Sequence, residues 1–309
     1  MSVVEKAGAN VLKTTFAKKD KKKKKDKNRS AEIVETRPSE PETIDLDFAE
    51  LARHGFYNPN DRSSQLALEM RAVKRRLLRR IGYLRSSGER QAFRTPGKQR
   101  NTILVTSTRA GEGKTFTAIN LALSLALEDQ IETLLIDADL ARPKIRTRLS
   151  LPEAPGLCDL LTHRDLDAAS LGWRLNSGPL AIMPEGACAE RPTDLFATEI
   201  AQEKWTELST ANPQRLVIID APPVLAATDA VMLAKYADEI VFVVEANSTP
   251  EAAVAAAVDE LIDINPNVSL MLNRCQIGAG GAHYGSYEYY GRSEAAETPA
   301  GKDKPSSEG

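Results

Sequence analysis

Residues 102–124 read TILVTSTRAGEGKTFTAINLALS. The first six are apolar or β-branched without a break, which predicts a buried strand, and the last nine carry the spacing of a helix. Between them, Thr108-Arg109-Ala110-Gly111-Glu112-Gly113-Lys114-Thr115 follows the pattern GxxxxGK[ST], with Thr108 in place of the first glycine. Gly111 and Gly113 allow backbone N–H groups to curl around phosphate oxygens, Lys114 is long enough to reach the β and γ phosphates, and Thr115 offers a hydroxyl to Mg²⁺. The positive end of the following helix favours the same anion. A GK[ST] tripeptide is weak evidence alone. Placed between a strand and a helix it predicts a phosphate-binding P-loop.

Working outward, further apolar runs at 133–137, 215–220, 239–245 and 268–273 read as strands, with 179–183 a weaker sixth. Their continuous rather than alternating hydrophobicity predicts burial on both faces, and helical segments at about 114–129, 193–210, 228–236 and 250–264 separate them. The expectation is a doubly wound α/β fold of the P-loop NTPase kind, a mainly parallel sheet flanked by helices. Two of the runs end in acidic residues, Asp137-Ala138-Asp139 and Asp220-Ala221-Pro222-Pro223. Carboxylates at the C-terminal ends of parallel strands face the ligand crevice of such a fold. Asp220 suits a Mg²⁺-holding role. Asp137 and Asp139, two residues apart on an extended strand end, point the same way.

The 309 residues suffice for one such domain and tails, and no internal repeat is present. The net charge of −2 hides a basic run at 18–29 and an acidic stretch at 31–50, so residues 1–60 are expected to be mostly disordered. The lysine run reads as a solvated tail. The alternative is attraction to anionic lipid, at about 1 kcal/mol per charge. From Asp61 to residue 101 come a basic amphipathic helix and a polar connector. Leu66, Met70, Val73, Leu77 and Ile81 form its apolar stripe, Lys74 lies among the basic residues opposite, and Asp61 is available as cap. The P-loop domain is expected over 102–277 and a tyrosine-rich flexible tail over 278–309. Cys158, Cys188 and Cys275 are far apart in sequence, which argues against a disulfide framework and a zinc site and fits a reducing compartment. No stretch is long and apolar enough to span a membrane, and the N-terminus lacks a signal-peptide core. A cytoplasmic location is the expectation.

The order GEGKT, then DADxxRP, then DxPP resembles the bacterial tyrosine kinases. PGLCDLL (155–161), PEGACAERPTDL (184–195), LNR (272–274) and the tyrosine cluster AHYGSYEYYG (282–291) follow the family in order. The segment from Glu50 to Leu78 and the P-loop helix are most similar to its exosortase-associated, exopolysaccharide-locus branch. The resemblance spans about residues 44–291 and implies an ATP- and Mg²⁺-dependent protein-tyrosine autokinase. Carried over by position, it assigns nucleotide binding to Arg109, Ala110, Gly111, Glu112, Gly113, Lys114, Thr115 and Phe116, with Arg142 near the phosphates and Asn273 at the adenine. Thr115, Asp139 and Asp220 become the Mg²⁺ ligands. Lys114, Asp137, Asp139 and Asp220 become the catalytic group, with Asp137 as general base. Tyr284, Tyr287, Tyr289 and Tyr290 become phospho-acceptors, used in trans within a homo-oligomer. The implied partners are a membrane chain-length-determinant (polysaccharide co-polymerase) protein, which would recruit the kinase to the inner face of the membrane and activate it, and a protein-tyrosine phosphatase. No nucleic acid is implied.

Two positions depart from that pattern. Ala141 stands where the family carries arginine, so either Arg142 takes over that contact or the contact is absent. Ala72 replaces the first arginine of an E-x-x-R-x-x-R motif that begins at Glu69 and ends at Arg75. Arg109 also occupies the place of a signature lysine in partition and division-site ATPases. A switch ATPase is therefore the alternative, and a non-catalytic ATP-binding subunit is a third reading.

Overall fold

A computed structural model describes residues 41–83, 100–128, 130–188, 192–212 and 214–275. The six anticipated strands form at Thr102–Ser107 (β2), Glu132–Asp137 (β3), Leu180–Met183 (β5), Arg215–Asp220 (β6), Glu239–Glu245 (β7) and Val268–Asn273 (β8). Two short strands that the sequence reading did not anticipate, Glu42–Ile44 (β1) and Trp173–Leu175 (β4), complete an eight-stranded sheet. Its order is β1-β4-β5-β3-β6-β2-β7-β8, and every pairing is parallel except β4 with β5. Apart from β4, where Arg174 is exposed, the inner strands are buried along nearly their whole length, as continuous hydrophobicity demands. β8 departs from expectation: it lies at the edge, with Leu270 60% and Leu272 63% exposed.

Helices cover both faces. Gln65–Arg80 (α2) and Lys114–Leu125 (α3) pack one side through Leu77, Leu78, Ile119 and Leu123. Leu157–Thr162 (α5), Glu199–Thr210 (α6), Asp229–Ala234 (α7) and Glu251–Ile262 (α8) pack the other through Leu160, Phe196, Trp205 and Phe242. Phe48–Arg53 (α1) and the single turn Ile145–Arg148 (α4) are additions to the expected set. The compact unit ends at Arg274. Among the described residues, no helix is long and apolar enough to cross a membrane.

Four expectations need correction. Disorder through residue 60 does not hold over 41–60. There Leu51, Phe56 and Tyr57 are buried, Phe56 stacks near Phe116 of α3 with ring centroids 5.3 Å apart, and the Tyr57 N–H donates to Asn120 Oδ1 at 2.6 Å. Three buried side chains offset the ordering of a segment whose average composition is polar. The cap of α2 is Ser64, whose Oγ accepts from Ala67 N, while Asp61 closes the preceding turn onto Ser63 N. Lys74 is not on a solvated face. It is 7% exposed and donates to Ser124 O and to Glu128 Oε1, both at 2.8 Å, at the C-terminal end of α3.

The fourth correction concerns the cysteines. Cys158 at the start of α5 and Cys188 after β5 are joined in a disulfide, with Cα atoms 5.1 Å apart. Their separation of 30 residues is bridged because the loop after β5 lies along the first turn of α5. Leu157 N donates to Pro184 O and Cys158 N to Glu185 O, each at 2.8 Å, and Asp159 Oδ2 accepts from Gly156 N and Ala187 N. Gly156 leaves no room for a side chain, since a Cβ would sit 2.1 Å from Pro184 O.

The two-helix clamp at Lys74 yields a stability prediction. Lys74→Ala strands a helix-end carbonyl and a partly buried carboxylate, a loss of about 2 kcal/mol. The melting temperature should fall by roughly 4–8 °C in a domain of this size. A shift of under a degree, measured by calorimetry, would show that the ammonium is not bearing on the α2–α3 contact.

Candidate nucleotide and phosphoryl-transfer site

Sheet order brings the motifs together. β6 lies between β2 and β3, and its terminal Asp220 pairs in register with Asp137 of β3 and Val105 of β2. The P-loop begins where β2 ends, so both carboxylate motifs lie beside it. Gly113 caps α3 at φ +102° and Gly111 lies at φ +97°, a backbone region that L side chains rarely adopt. At Gly113 the requirement is also steric: a Cβ would sit 2.0 Å from the Asn273 amide nitrogen.

Lys114 is 6% exposed, and its Nζ lies 2.8 Å from Asp139 Oδ2 and 3.4 Å from Asp220 Oδ1. Burial works against its charge, but Asp220 and Asp139 outweigh that and raise its affinity for the proton above that of an ordinary lysine. Asp220 is fully buried. Burial raises its pKa despite the nearby Lys114 ammonium and a hydrogen bond from Thr115, and its Oδ2 has no protein partner. Asp137 is also fully buried. Its Oδ2 accepts from Lys144 N (2.8 Å) and Ile145 N (2.9 Å), and its Oδ1 from Asp139 N (3.3 Å). Burial first, and then the charge on Asp220, push the Asp137 carboxyl up to about 8 against the pull of those amides and Lys114.

The remaining candidates are spread around this centre. Arg109, Ala110 and Arg142 are exposed at the rim, and Arg142 N donates to Asp139 Oδ1 at 3.2 Å. Phe116 faces Phe56 of the N-terminal segment. Asn273 Nδ2 donates to Glu112 O at 2.8 Å, so this amide braces the P-loop. The carboxylate of Glu112 accepts from Arg109 N (2.9 Å) and from Thr249 Oγ1 (2.6 Å) in the β7–α8 loop. Sequence reasoning missed Thr249, which lies 137 residues from Glu112 in the chain and in no recognisable motif. Tyr284, Tyr287, Tyr289, Tyr290 and the 18–29 lysine run lie outside the described residues.

Three aspartates meet one ammonium here, which leaves an excess of buried negative charge and one unpartnered carboxylate oxygen. That composition fits a divalent cation. Among the described residues, no group of three or more His, Cys, Asp or Glu side chains could hold a metal ion. A Mg²⁺ ion, which keeps waters and phosphate oxygens beside one or two carboxylates, would need no such group.

The raised pKa of Asp137 fixes the sign of a pH effect. An aspartate in the unfolded chain titrates near 3.9, roughly. The native protein therefore keeps a proton that the unfolded chain releases between about pH 4 and about pH 8, so this group's contribution to stability falls as pH rises through that window. Asp137→Asn keeps an acceptor for Lys144 N and Ile145 N and removes the charge. In nucleotide-free protein the variant should melt roughly 3–6 °C above wild type at pH 8. That difference should shrink towards pH 4.5. A difference that does not vary with pH would mean that Asp137 is not the group retaining the proton.

No family model matches the chain. The Bacillus subtilis tyrosine-protein kinase YwqD is 30% identical over 199 residues, covering 64% of this chain and 81% of that protein. The Streptococcus agalactiae tyrosine-protein kinase CpsD is 29% identical over 198 residues, covering 63% and 84%. Among solved structures, the VpsO kinase domain is 28% identical with a TM-score of 0.59, covering 74% of this chain and all of that one. The kinase domain of the Escherichia coli tyrosine kinase ETK shares the fold at 22% identity and a TM-score of 0.58, over 83% of this chain and 91% of that one. Sequence similarity that covers four-fifths of a curated kinase, on the same fold and with a buried lysine among three strand-end aspartates, places this chain in the family of bacterial tyrosine-protein kinases.

Proposed function

We propose that this kinase transfers the γ-phosphoryl group of Mg-ATP to the tail tyrosines Tyr284, Tyr287, Tyr289 and Tyr290, acting on a neighbouring copy within a homo-oligomer. The observation that carries the reading is the buried Lys114 ammonium set between Asp139 and Asp220, with Asp137 beside them. In this reading the amides of 109–115 and Lys114 receive the phosphates. The ammonium exchanges part of its pairing with Asp139 and Asp220 for the β and γ oxygens. Thr115, Asp139 and Asp220 would hold Mg²⁺, whose charge offsets that of the phosphates during in-line transfer. Asp137 accepts the tyrosine proton late in the transfer, when the phenol has become acidic. It has no exposed surface, so the loop 138–144 has to lift before a hydroxyl can reach it.

The tail reading rests on four tyrosines within seven residues of a Gly- and Ser-rich segment. Each phosphate adds about −1.5 to −2 charges, and repulsion between modified tails favours release of the oligomer. In this reading the kinase serves exopolysaccharide synthesis or export, with a membrane co-polymerase as activator, recruitment to the membrane's inner face and a phosphatase that resets the tail.

The test is incubation of the full chain with Mg-ATP, followed by phosphopeptide mass spectrometry. Wild type should carry phosphate on the four tail tyrosines. Lys114→Met should lose at least about 99% of it, as expected when a cation on the transferring group is removed. Replacing the four tyrosines by Phe should leave ATP binding intact. ATP hydrolysis with unmodified tyrosines would support a switch ATPase, and phosphotyrosine persisting in Lys114→Met would remove the proposed site.

A further inference from the structure

The loop that covers Asp137 is tied to the Cys158–Cys188 disulfide by a short chain of contacts. Lys144 N and Ile145 N, at the entry to α4, hold Asp137 Oδ2. Arg146, the next residue, places its Nε 3.3 Å from Glu185 Oε1. The Glu185 carbonyl accepts from Cys158 N at 2.8 Å, and Cys188 Sγ lies 3.7 Å from the same oxygen. Glu185 therefore connects α4 on one side with both cysteines on the other. Its Oε2 is buried without a partner, so the Arg146 contact is the only one given to this carboxylate among the described residues. The two sulfurs differ in access: Cys158 is fully buried, whereas Cys188 is exposed.

We propose that Cys158–Cys188 is a thiol–disulfide exchange site, taking a dithiol reductant, whose oxidised form locks the 138–144 loop over Asp137 and whose reduced form releases it. This inference rests on the kinase reading above. A thiolate of the reductant attacks the exposed Cys188 sulfur, the S–S bond breaks, and Cys158 leaves as a thiolate and takes up a proton. The reductant's second thiol then displaces Cys188. The protein gains two thiols and the reductant becomes a disulfide, so electrons and protons balance. Without the cross-link the 184–188 loop is held to α5 by hydrogen bonds alone, from Leu157 N and Cys158 N and onto Asp159 Oδ2, and the Glu185–Arg146 tie loses its covalent anchor. The P-loop backbone takes no part in these contacts, and the loop reaches Lys114 through Asp139 Oδ2 at 2.8 Å, so the effect falls on transfer more than on ATP affinity.

The experiment uses full-length protein, oxidised with diamide or reduced with a dithiol, and reads thiol state by alkylation and peptide mass. Oxidised protein should yield the Cys158–Cys188 linked peptide. Reduction should raise kcat for tyrosine phosphorylation roughly five- to tenfold, in the range of couplings between linked sites. KM for ATP should change less than kcat, and hydrogen exchange at Lys144 and Ile145 should accelerate. Cys188→Ser, which leaves the buried Cys158 in place, should have the reduced rate under both conditions. Glu185→Gln should raise the oxidised rate towards the reduced one with the disulfide still formed. Free Cys158 and Cys188 thiols after diamide, equal kcat in the two states, or unchanged exchange at Lys144 and Ile145 would each overturn the proposal. The absence of phosphotyrosine in every state would instead remove the kinase reading, and the exchange measurement would still decide whether the disulfide holds the loop.

Discussion

Everything at the active end of this molecule depends on one buried charge imbalance. Lys114 supplies a single ammonium to Asp137, Asp139 and Asp220, and all four side chains are withdrawn from water. At low dielectric an uncompensated carboxylate costs more than a hydrogen bond returns, so the nucleotide-free protein keeps a proton among the aspartates and draws Lys114 into them. The site is therefore preset for a ligand that brings its own cation and a set of anionic oxygens. Such a ligand relieves the imbalance by giving the carboxylates a divalent partner and the lysine a phosphate.

The fold serves that imbalance through strand order. Asp137 and Asp220 are 83 residues apart in the chain, and they meet because β6 inserts between β2 and β3. The apolar runs and the acidic residues that end them were readable from local pattern, since period and composition act over a few residues. Their adjacency was not, because order across a sheet is a long-range choice that no local pattern encodes. The same limit explains β1 and β4, each of three residues, too short for any periodicity. It also explains Lys74, whose burial is decided by Ser124 and Glu128 on another helix.

The cysteines and the 41–60 segment show a second limit. Sequence separation does not imply spatial separation for Cys158 and Cys188, because a loop lying along α5 bridges it. Average polarity does not imply disorder for 41–60, because a few apolar side chains at the right places outweigh a mean. Phe56 against Phe116 and the Tyr57 amide on Asn120 bring that segment onto the P-loop helix one residue beyond Thr115.

These contacts divide the site mechanically. The phosphate-binding side is held from three directions: by Phe56 and Tyr57 on α3, by Thr249 on the Glu112 carboxylate, and by Asn273 on the Glu112 carbonyl. These holds come from three separate parts of the chain, the segment after α1, the β7–α8 loop and the end of β8, so the backbone donors of the P-loop are braced before a ligand arrives. The side that a tyrosine must approach is built differently. Asp137 is covered by the 138–144 loop, and α4, a single turn, is anchored by the buried Ile145 and reaches outward to Glu185 through one ion pair at 3.3 Å. On the proposed reading, a braced P-loop beside a covered Asp137, tethered outward through Arg146, lets nucleotide be held while transfer waits. Control of such an enzyme belongs on the tether, because loosening the P-loop would sacrifice substrate affinity together with rate.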